Sequence, residues 1–130
     1  MVDSFWSLFG EWLAGGSQDP RVRQRLTDAF RRAWLAGDRE DRYAVLDFVR
    51  RERLASGYDL VIQGARSNDA GLATHAVAIA LFLLSKGASF DPSMRGVLED
   101  FGRRFPGDRA LSDSALRRMA EDEADDHGIG

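Results

Sequence analysis

Apolar positions recur along this chain at helical spacing, and the gaps between them carry residues that start and stop helices. Val22, Leu26, Ala29, Phe30, Ala33 and Trp34 mark one amphipathic face, and Tyr43, Val45, Leu46, Phe48 and Val49 mark the next. Asp19-Pro20 and Asp91-Pro92 each set a capping carboxylate before a proline, whose missing N–H and fixed φ suit the first helical position. Asp38 follows Gly37 and precedes Asp41 by three residues, which reads as a cap with a first-turn acid. Helices are therefore expected to begin near residues 20, 38 and 91, with Gly37 closing the first of them. A further helix is expected to begin at Ser112 or Asp113.

The most apolar stretch is LATHAVAIALFLLSKG, residues 72–87. No Asp, Glu, Lys or Arg occurs from Ala70 to Ser85, a run shorter than the roughly twenty residues that span a bilayer. Asn68 and Asp69 supply a capping start, Lys86 falls in the last turn and Gly87 offers a left-handed terminator. A helix that is apolar on nearly every face belongs inside a fold. The fold class expected is all-α, a single compact bundle of about six helices around a central apolar helix at residues 69–86.

Two segments need separate arguments. YDLVIQ, within 56–66, alternates like a strand, but an isolated strand has nothing to pair with, so helix is expected there. FWSLFGEWL places Phe5, Leu8, Phe9, Trp12 and Leu13 on one helical face ahead of Gly15-Gly16. Residues 1–14 thus form an amphipathic aromatic helix that either closes the core or docks on another chain. One domain is expected over 1–120, followed by an acidic, flexible tail at 121–130. DPRVRQRLTD and DPSMRGVLED match in part at an offset of 72 residues, but the match stops after ten and no third copy follows, so no repeat architecture is implied.

Composition adds limits. With 130 residues, 44% of them hydrophobic, the chain can bury a core without staples, and it has no cysteine for disulfides or thiolate metal sites. Lys86 is the only lysine among 18 basic residues, the arginine bias of a GC-rich bacterial or phage genome. Asp3 stands where a signal peptide carries basic residues, so the expected location is the cytoplasm.

Candidate chemistry is sparse. His75 has no ligand companions at helical spacing, and His127 lies among acids of the tail, so no metal site is expected. Glu40-Asp41, Glu99-Asp100 and Asp125-Asp126 read as solvated carboxylates rather than catalytic pairs. No phosphate loop, HExxH or nucleophile elbow occurs, and neither an enzyme nor a cofactor is expected. The expected function is a small noncatalytic protein–protein interaction module, such as an adaptor, inhibitor, immunity factor or assembly subunit. Its partner-binding candidates are Phe5, Trp6, Phe9, Trp12, Arg31, Arg32, Arg50 and Arg51, because Trp and Arg dominate interface energetics. The expected partner is another protein, including a second copy, with no membrane span. The alternative is a helical nucleic-acid-binding regulator using Arg21, Arg23, Arg25, Arg31, Arg32, Arg50, Arg51 and Arg53, with Arg103 and Arg104 adjoining. Against it stands a net charge of −3, since phosphate binding rewards a basic excess.

Overall fold

A computed structural model describes residues 4–15 and 18–128, with side chains as far as residue 122. The protein is all-α, with no strand among the described residues. Seven helices follow in order, α1 (Phe5–Ala14), α2 (Pro20–Ala36), α3 (Arg39–Glu52), α4 (Tyr58–Ala65), α5 (Ala70–Ser85), α6 (Ser93–Arg104) and α7 (Arg109–Gly128). Short 3-10 turns at Ala55–Gly57 and Pro106–Asp108 lead into α4 and α7. The chain divides into two compact units, Met1–Glu52 and Arg53–Gly130.

Most helices begin where the capping residues place them. The Asp19 carboxylate accepts from the Arg21 amide at 2.9 Å, Asp38 from Asp41 at 3.0 Å and Asp69 from Leu72 at 3.2 Å. Asp91 accepts from Ser93 at 2.9 Å, and α6 begins at Ser93, one residue after the proline. The start of α7 is a correction: it lies at Arg109, not at Ser112 or Asp113. Ser112 is buried and donates back to the Arg109 carbonyl at 3.0 Å, so its hydroxyl serves the helix interior instead of capping an end. The α7 backbone stays helical through the acidic segment to Gly128.

In the first unit α2 and α3 run antiparallel. Arg23 near the start of α2 pairs with Glu52 at the end of α3. At the other end the Arg42 guanidinium donates to the Trp34 carbonyl at 3.0 Å. α1 packs against both helices, and the three meet around Phe48, which is fully enclosed. The rings of Phe5, Phe9 and Trp12 stand edge-on to Phe48 with centroids at 6.0, 6.4 and 5.6 Å. Phe30 from α2 completes the cluster at 6.3 Å. Each such pair contributes about 0.5–1.5 kcal/mol beyond the area it buries.

In the second unit α5 packs against α4 and α7. It buries Leu72, Ala73, Ala76, Val77, Ile79, Ala80, Leu83 and Leu84. Its end is a Schellman closure: the amides of Gly87 and Ala88 donate to Leu84 and Leu83 at 3.1 and 3.0 Å, with Gly87 at φ 89°. α6 crosses close to α7 at Gly102, where a Cβ would come within 3.2 Å of the Ser112 hydroxyl.

The α4 C-terminus is capped from a distance. Arg104 of α6 donates to the carbonyls of Ser67 and Ala65, each at 2.9 Å, while Asp100 one turn earlier holds its Nε at 2.7 Å. The planar guanidinium reaches three oxygens at once, which a lysine ammonium cannot reproduce in this fork geometry. Arg104→Ala should therefore cost about 2 kcal/mol, and Arg104→Lys should recover only a small part of it. Urea unfolding followed by far-UV circular dichroism measures both.

Candidate functional site

The aromatic helix that the sequence offers as either core or interface is buried on one flank and exposed on another. Ser4 caps α1 by accepting from the Ser7 amide at 3.1 Å. A carboxylate joins from α3, where Asp41 accepts the Trp6 amide at 3.0 Å. Two amides of the α1 first turn are thus satisfied and its positive end is neutralised. Asp41 can come this close because residue 37 is glycine: a Cβ there would lie 2.6 Å from the Asp41 Cβ and 2.3 Å from the Ala33 carbonyl. Here glycine is required by close approach, since its φ of −80° is open to any residue.

Helical spacing then sorts the side chains. Phe5, Leu8, Phe9 and Trp12 point into the unit and are buried. Trp6 and Leu13 fall on a neighbouring flank at 49% and 39% exposure, with Gly10 between them and open space where its side chain would be. Of the eight candidate partner-binding residues, Phe5, Phe9 and Trp12 are thus enclosed within the unit and Trp6 remains on the surface. The sequence reading missed Leu13 as a surface group; its position seven residues after Trp6, across an exposed glycine, was the available signal.

The arginine candidates are spread out. Arg31 and Arg32 lie exposed near the end of α2, and Arg31 covers the Phe30 ring at 5.5 Å. Arg50 and Arg51 lie near the end of α3, at the opposite end of the antiparallel pair, and Arg51 sits over the Trp12 ring at 5.7 Å. Arg23 and Arg104 serve internal pairings. Arg21, Arg23 and Arg25 near the start of α2 share their end of the pair with Arg50 and Arg51, while Arg31 and Arg32 lie at the other end.

Grooves on the described surface include the following pair. One, of about 300 Å³ between α1 and α2, is walled by Phe5, Leu8, Ala29, Ala33 and Ala36, with Arg32 and Asp41 also lining it. The other, of about 330 Å³ between α6 and α7, is lined by Leu98, Glu99, Gly102, Arg103, Arg109, Asp113 and Leu116. Neither contains a histidine, and no group of three metal-ligating side chains occurs among the described residues. His75 is half-buried on α5. His127, Asp125 and Asp126 lie outside the described side chains. Of the carboxylate pairs, Asp41 caps α1 and Asp100 orients Arg104, while Glu40 and Glu99 are exposed.

Two titrating groups are displaced, both for structural reasons. Asp91 lies below the usual carboxylate range because the Ser93 amide and hydroxyl donate to it. Burial pushes the Tyr58 phenol up, against the opposing pull of Arg53; its ring stacks on Phe90 at 5.0 Å. Neither lines either of the two grooves above. Comparison with known protein families, with characterised proteins and with solved structures finds no match. No helix among the described residues is long and apolar enough to cross a membrane.

Two outcomes follow from this geometry. Trp12→Ala should destabilise the protein by about 3–5 kcal/mol, whereas Trp6→Ala should change it by less than about 1 kcal/mol, as read by chemical unfolding of the two variants. Because folding raises the Tyr58 pKa, the unfolded chain ionises first as pH climbs past 10.0. Stability contributed by the neutral phenol is complete below that pH and lost above it, so the decline between pH 9 and 11, seen by thermal unfolding, should be shallower in Tyr58→Phe.

Proposed function

We propose that this protein is a noncatalytic protein-binding module and that its contact face is the exposed flank of α1. The observation that carries the reading is Trp6: half its surface remains open to water on a helix whose other aromatics are buried, with Leu13 on the same flank. Burying a large apolar side chain is worth about 1.5–3 kcal/mol, and tryptophan is among the residues that most often anchor interfaces. The flank is also presented rigidly, because Phe5, Phe9 and Trp12 fix the helix to the rest of its unit. A preformed face of this kind binds without first ordering itself. Adaptor, inhibitor, immunity factor and assembly subunit all use such a face, and the cytoplasm is the proposed place of action.

The nucleic-acid reading draws less support: Arg31 and Arg32 lie at the opposite end of the α2–α3 pair from Arg50 and Arg51, Arg23 pairs with Glu52, and Arg104 caps the α4 C-terminus. Affinity purification from the source organism tests the main reading. A specific protein captured by the intact chain should be lost with Trp6→Ala and retained with Leu35→Ala, which removes another exposed leucine from α2. Capture that survives Trp6→Ala and Leu13→Ala contradicts the proposal. Retention of nucleic acid that weakens steeply with salt supports the alternative instead.

A further inference from the structure

We draw no further inference here: the strongest candidate, the exposed flank of α1 that carries Trp6 and Leu13 on either side of Gly10, belongs to the face already described, and nothing in the structure shows what covers it.

Discussion

The first unit depends on Phe48 and the aromatic rings that enclose it. Three of those rings come from α1 and one from α2, so the same contact that fills the unit also fixes where its first helix lies. Detaching α1 would expose Phe5, Phe9 and Trp12 and would also uncover the face of Phe48, which is why this helix cannot act as a loosely tethered arm. The cluster also has a cost. The Trp12 indole N–H is buried with no hydrogen-bond partner, and the ring is retained for its bulk and for the guanidinium of Arg51 above it rather than for its polar atom.

With α1 fixed in this way, its surface chemistry follows from helical geometry. A helix that turns Phe5, Phe9 and Trp12 inward must turn Trp6 and Leu13 to a side, and Gly10 keeps that side open. Asp41 adds to the rigidity by capping α1 from α3, and the glycine at 37 makes room for it. The second unit rests on different means: an apolar helix closed by a glycine turn, and an arginine that caps a helix distant in sequence. These features account for its folding.

Much of the helix layout was legible because its signals are local. Asp19, Asp38, Asp69 and Asp91 each accept the backbone amide that their position relative to the apolar run implied, although α6 itself starts one residue late, and Gly87 takes the left-handed conformation expected of it. The features that were not legible depend on partners far along the chain. The amphipathic pattern of FWSLFGEWL is the same whether its apolar face meets Phe48 or another molecule; only the fold shows that Phe48, some forty residues on, receives it. Arg104 looked like one more arginine beside an acid until its carbonyl partners at Ala65 and Ser67 were placed. The division into two units was equally invisible, because periodicity reveals which face of a helix is buried and not which helices share a core.

The central claim is that α1 is built into its unit, so that the Trp6 flank is a rigid surface rather than part of a mobile arm. Native-state amide hydrogen exchange tests this most directly. The account predicts that amides in the second half of α1 exchange as slowly as those of α3 around Phe48, through the same cooperative opening. Exchange in α1 that is orders of magnitude faster, while α2 and α3 remain protected, would contradict it.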